Sequence, residues 1–95
     1  MFIAIAIHHA AAAHVDNLLA HMERVRANVV GAPGLIEFLC VRENGGLRLL
    51  GFSRWESREA FEAALPRIGQ FRDDRRDEWS TRDDELLTLV PDESG

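Results

Sequence analysis

Four histidines carry most of the acid–base chemistry open to this chain, and their spacing limits it. His8 and His9 are adjacent at the end of an apolar run. Neighbouring strand residues point to opposite faces, so the pair cannot chelate one metal ion together. One imidazole is expected to face the helices and the other a cleft. An imidazole titrates near neutral pH, so the cleft-facing one can take a proton from a weakly acidic hydroxyl. The plainer reading is a solvated strand end. His14 and His21 stand seven apart on one side of a helix, without the i, i+4 spacing of a helical metal site. No metal is expected.

Other residues would shape a pocket rather than react. Trp55 closes a strand just before a helix, as a pocket wall or as a core anchor. Glu37, Ser53, Arg54 and Thr88 are polar positions inside otherwise apolar strands. On a face that lines a cavity they would orient a ligand; elsewhere they would face solvent or pair across a subunit contact. Arg48 alternates with apolar residues in the same way. Cys40 has apolar strand neighbours and reads as buried and inert. The run Arg72 to Glu78 balances its charges and reads as a solvated face. There is no glycine-rich phosphate loop and no cysteine-rich zinc pattern.

The elements that position these residues follow from periodicity. Phe2 to His8 is an apolar strand with Ile3, Ile5 and Ile7 on one face and Phe2, Ala4 and Ala6 on the other. Two apolar faces must both be covered. Val15, Leu18, Leu19, Met22, Val25 and Val29 predict a helix over His14 to Val30, stopped by Gly31 and Pro33. Leu35 to Glu43 and Leu47 to Arg54 flank Asn44-Gly45-Gly46, a hairpin signal. Ser57 is an N-cap with Glu59 in the first turn of a second helix, which Pro66 and Gly69 should interrupt. Phe71 to Glu85 reads as a charged helical or irregular segment held by Phe71 and Trp79. Leu86 to Val90 is the last strand, and Pro91 to Gly95 should fray.

The order β-α-β-β-α-β is the ferredoxin-like α+β plan with a four-stranded antiparallel sheet. Two helices cover one sheet face, so a second sheet from a partner subunit is expected on the other. The 95 residues make one domain, 1–95, with a modest core that subunit burial would help. The net charge of −5 argues against a nucleic-acid partner. One cysteine permits no internal disulfide, and the apolar start is short and lacks a basic flank. No membrane association is expected, and the cytoplasm is the expected location.

With Pro33-Gly34-Leu35-Ile36-Glu37-Phe38 leading into the hairpin and Trp55-Glu56-Ser57-Arg58-Glu59-Ala60-Phe61 after it, the chain resembles the antibiotic biosynthesis monooxygenase family. The resemblance runs from Phe2 to about Val90. It implies a dimeric α+β barrel, and an activity in which some members oxidise polycyclic phenols to quinones without metal or flavin. For such an activity His8 or His9 would be the base, Trp55, Glu37, Ser53, Arg54 and Thr88 would shape the site of a small aromatic ligand, and no cofactor is expected. Members often carry a histidine soon after the second helix. Here Ala64 to Phe71 has none. The haem-degrading branch has an Asn on the first strand and a Trp in the second helix. This chain has neither, with Ala63 and Ala64 at the Trp place. The alternative function is a non-catalytic dimeric barrel that binds a small ligand or is purely structural.

Overall fold

Strict alternation along the strands decides what meets the helices. The computed structural model describes residues 1–92; the expected fraying of the last three residues lies outside them. Strands β1 (Phe2–His9), β2 (Leu35–Arg42), β3 (Arg48–Trp55) and β4 (Glu85–Leu89) form one antiparallel sheet in the order β2-β3-β1-β4. Helices α1 (Val15–Val29) and α2 (Arg58–Ile68) pack on one face, giving the ferredoxin-like α+β fold. Phe2 and Ala4 of β1 and Leu49, Gly51, Ser53 and Trp55 of β3 are buried on that face. Buried side chains gather in two clusters, one around Phe2, Val29, Trp55 and Phe61 and one around Val15, Leu18, Met22 and Leu49.

The other sheet face is apolar and uncovered. It carries Ile3, Ile5 and Ile7, registered on Arg54, Phe52 and Leu50 of β3 and, through Ile3 and Ile5, on Leu89 and Leu87 of β4. Leu39 and Val41 of β2 complete it. A bulge at Ile36 sets that alternation, since Leu35 pairs with Trp55 while Glu37 already pairs with Arg54.

Local chemistry explains the joints. Gly34 sits at φ +83°, and a Cβ there would stand 2.5 Å from the Cβ of Ala60, so α2 closes on β2 only over a bare glycine. Its carbonyl accepts from the Glu56 N–H at 2.8 Å. Ser57 caps α2, its Oγ accepting from the Ala60 N–H at 3.1 Å. The hairpin turns on Gly45 at φ +76°.

Two readings needed adjustment. The residues before α1 form a separate 3₁₀ turn, Ala12–His14, so the helix starts at Val15. Pro66 does not interrupt α2, which runs on to Ile68 and stops at Gly69. A proline costs one helical hydrogen bond, and here the carbonyl left over is that of Glu62, an exposed residue near the helix end.

The charged segment after α2 is irregular, with short 3₁₀ turns at Arg72–Asp74 and Asp77–Trp79. The Arg24 guanidinium covers Phe71 at 4.4 Å, and Trp79 packs on the second core cluster. Backbone bonds from Ala11 N–H to Trp79 O and from Thr81 N–H to His9 O, both 2.8 Å, tie the segment to the end of β1. That return brings its charged residues to the two strand-end histidines.

Candidate functional site

Alternation sends His8 and His9 to opposite faces. His9 lies on the open face, its Nε2 2.6 Å from Glu85 Oε2. Glu85 is held below the usual carboxylate range, chiefly by that hydrogen bond. His8 points to the helix side, where its Nδ1 stands 3.1 Å from Asp84 Oδ1. The approach is at ion-pair distance but off the line an aligned hydrogen bond requires.

Asp84 is the hub. Arg75 Nη1 donates to its Oδ2, and Arg75 Nη2 donates to its Oδ1 at 3.2 Å and to Ser80 Oγ at 3.0 Å. Burial is the largest single influence on Asp84 and opposes its ionisation. The bonds and charges of His8 and Arg75 together outweigh it, leaving the carboxyl well below its usual range. Asp84 is therefore an anion behind His8.

In front of His8 lies a cavity of about 350 Å³ between sheet and helices. Its walls are largely apolar: Ala4, Ala6, Met22, Val25, Phe38, Phe61, Leu65, Ile68 and Leu86. The polar lining is His8, His21, Ser53, Arg72, Arg75 and Asp84. The volume sits at the low end of the roughly 300–1,000 Å³ typical of small-molecule sites. His21 reaches the cavity from α1 and is 8% exposed. Burial first, then the charges of Arg75, His8 and Arg24, lower its pKa against the opposing Asp74, so the ring is held neutral.

The expected pocket residues divide. His8 and Ser53 line the cavity. The Ser53 Oγ donates to Ala4 O at 3.2 Å and accepts from Trp55 Nε1 at 2.8 Å, so it chiefly braces the sheet. Trp55 is fully buried in the core, edge-on to Phe61 at 5.8 Å. Glu37 and Arg54 pair at 2.7 Å on the open face, as does His9 with Glu85. Thr88, registered on Ala4, is exposed on edge strand β4. Arg48 pairs with Glu43. The Cys40 thiol is pushed up to about 11, by burial and then by Glu23, which keeps it a thiol.

Sequence reasoning missed His21, Arg75 and Asp84 as cavity residues. His21 had a signal: it lies three residues after Leu18 and four before Val25, inside the apolar stripe. Arg75 had none, because it reaches Asp84 through an irregular segment, and Asp84 meets His8 only through the register of β4 on β1, which sets Glu85 opposite Ile7. Among the described residues no group of three or more His, Cys, Asp or Glu is placed to hold a metal ion. Among them too, no helix is long and apolar enough to cross a membrane.

Known proteins place the fold. A Nitrosomonas europaea protein carrying the antibiotic biosynthesis monooxygenase name superposes with a TM-score of 0.85 at 12% identity, over 96% of this chain and 98% of its own. Rv0793 of Mycobacterium tuberculosis gives 0.81 at 22% identity, over 99% and 98%. The haem-degrading MhuD of Mycobacterium tuberculosis, solved with two haems bound in its active site, gives 0.72 at 28% identity, over 97% and 98%. No curated protein matches the sequence. The profile of one family, described as antibiotic biosynthesis monooxygenase, matches residues 1–66. The chain belongs to the antibiotic biosynthesis monooxygenase family.

Proposed function

We propose that the chain is a cofactor-independent monooxygenase of a small, electron-rich aromatic of the phenol or quinol type, working in the cavity between sheet and helices. One observation carries this reading. His8, backed by the Asp84 carboxylate at 3.1 Å, borders a mostly apolar cavity of about 350 Å³. An apolar slot takes a flat ring, and a base at its wall takes the ring's acidic proton.

The chemistry follows from that arrangement. The ring nitrogen of His8 away from Asp84 receives the phenolic proton, and Asp84 stabilises the imidazolium formed. The guanidinium groups of Arg72 and Arg75, set against the single carboxylate of Asp84, leave the wall with an excess of positive charge that favours the phenolate left behind. The phenolate gives one electron to dioxygen, and the two radicals join at a ring carbon. The peroxide takes the proton back from His8, the ring carbon that bears it loses its hydrogen as a proton while the O–O bond breaks, and the hydroxide released leaves with that proton as water. Phenol and dioxygen become quinone and water, with one atom of the dioxygen in each product. The protein supplies a dry site, the base and an environment suited to the anion.

Haem, the ligand of one relative, is a poor fit here. The cavity suits two or three fused rings rather than a tetrapyrrole, and His8 is engaged by Asp84.

The same reading makes residues 1–95 one domain of a cytoplasmic homodimer joined through the open sheet face. That face supports it: Leu39, Val41, Leu87 and Leu89 are each at least 40% exposed beside Ile3, Ile5 and Ile7. An apolar patch rimmed by the Glu37–Arg54 and His9–Glu85 pairs is the usual build of a subunit interface.

Oxygen uptake and quinone absorbance with anthrone-like and dihydroxynaphthalene substrates test the activity. Replacing His8 with Ala is expected to slow turnover about a hundred- to ten-thousand-fold, while His9→Ala stays within about twofold. Wild-type protein that binds these aromatics without consuming oxygen would instead make it a binding protein.

A further inference from the structure

We propose that His21 is a specificity contact of this cavity, its Nδ1 sharing a hydrogen bond with a second hydroxyl of the ligand, so that the ligand is a dihydroxy aromatic rather than a monophenol. This rests on the reading of the cavity as a site for an aromatic ring.

The starting point is an unsatisfied atom. His21 is more than nine-tenths buried, lines the cavity, and its Nδ1 has no hydrogen-bond partner in the protein. Buried polar atoms are nearly always paired, so such an atom at a cavity wall asks for a partner within the cavity. Of the other polar groups of the wall, His8 Nδ1 also lacks an aligned hydrogen bond, but it stands 3.1 Å from the Asp84 carboxylate. Ser53 serves Ala4 O and Trp55, Asp84 serves Arg75 and His8, and Arg75 serves Asp84 and Ser80.

The position is unusual for its helix. His21 lies in the stripe of α1 that also carries Leu18, Met22 and Val25, where an apolar side chain would pack without penalty. A polar residue at a core position, against the pattern around it, is the kind of local inconsistency that functional sites tolerate.

The ionisation state narrows the partner. Burial, Arg75, His8 and Arg24 keep the ring neutral, so one nitrogen donates and the other accepts. A carboxylate or ketone only accepts and would serve one tautomer alone. A hydroxyl both donates and accepts and serves either. His8 takes the proton of one hydroxyl, and His21 holds the other. A ligand without the second hydroxyl would leave Nδ1 unpaired, as it is in the free protein. A site built to bond a hydroxyl discriminates strongly against the analogue lacking it.

Equilibrium binding without oxygen tests this, with 1-naphthol and the dihydroxynaphthalene isomers as probes. Wild-type protein is expected to bind its preferred diol roughly ten- to a hundredfold more tightly than 1-naphthol. His21→Phe should bind 1-naphthol within about twofold of wild type and lose the preference for the diol. His21→Gln, which can still hydrogen-bond, should recover part of it. In ¹⁵N spectra of the wild type, the His21 Nδ1 resonance should move on adding the diol and stay in place with 1-naphthol. That measurement decides the matter even if a variant fails to fold. An equal preference for the diol in wild type and His21→Phe, or an unmoved Nδ1 resonance, would overturn the role of His21 and leave the aromatic site standing. Failure of the wild type to bind any of the probes would overturn the aromatic site, and this proposal with it.

Discussion

Asp84 Oδ1 stands 3.1 Å from His8 Nδ1, so a carboxylate at the start of β4 and an imidazole at the end of β1 meet at the wall of the cavity. Arg75 grips the same carboxylate through two guanidinium nitrogens, which fixes where it lies. A base helped by such an anion keeps its ring orientation and tolerates the positive charge it gains. In the proposed reaction Asp84 is a positioning residue, acting through His8.

Replacing Asp84 with Asn keeps the shape and removes the charge. Turnover is expected to fall about a hundredfold, the scale of loss from a misplaced catalytic group. KM should stay within about twofold, because Asn keeps the shape of the cavity wall and the apolar lining is unchanged. Steady-state kinetics separate the two. A change confined to KM would assign Asp84 to ligand binding instead.

The open sheet face makes its own prediction. Ile5 sits at its centre, registered on Phe52 and Leu87. Wild-type protein should sediment at twice the 10.7 kDa chain mass at micromolar concentration. Ile5→Glu should sediment as a folded monomer, since a buried unpaired carboxylate is costly. A wild-type monomer would remove the face-to-face barrel.

Gly34 and Gly31 form a matched pair for the backbone. Both hold positive φ, +83° and +88°. A Cβ at Gly31 meets nothing within 4 Å, whereas one at Gly34 would stand 2.5 Å from the Cβ of Ala60. Gly31→Ala should cost about 1 kcal/mol, the usual penalty for a left-handed alanine. Gly34→Ala should cost more, about 2–4 kcal/mol, because α2 must also shift. Urea midpoints at constant slope would measure both; equal losses would mean that α2 gives way freely.

These contrasts show why the sequence was legible in some places and silent in others. The two faces of β1, the Ser57 cap and the Gly45 turn each follow from a residue and its near neighbours. So did the separation of His8 from His9, though not which of them met a cavity. Deciding that needed the helices' side of the sheet, which Phe2 and Ala4 fix only once the core is assembled. Arg75 and Asp84 lie in a run of mixed charge without periodicity. Pairing of β4 on β1, with Glu85 opposite Ile7, sets Asp84 beside His8, and the bonds from Ala11 to Trp79 and from Thr81 to His9 fold the run back toward it.

Stability should respond to acid in two stages. His21 faces Arg75, Arg24 and His8, which oppose its protonation along with burial, and Asp74, which favours it. Its folded pKa is thus below its ordinary 6.5. Below pH 6.5 the unfolded chain holds a proton that the folded one refuses, so acidification favours unfolding until the folded pKa is reached. The slope of one such proton is at most about 1.4 kcal/mol per pH unit. Asp84 acts later. Its folded pKa lies below the ordinary 3.8, so its contribution is complete above that value and is lost as the pH falls through the folded one. Urea midpoints measured from pH 8 down to pH 3 should therefore decline first below 6.5 and again below 3.8. His21→Gln should flatten the first decline and leave the second. Asp84→Asn should lessen the second. A first decline unchanged in His21→Gln would place its titrating group elsewhere.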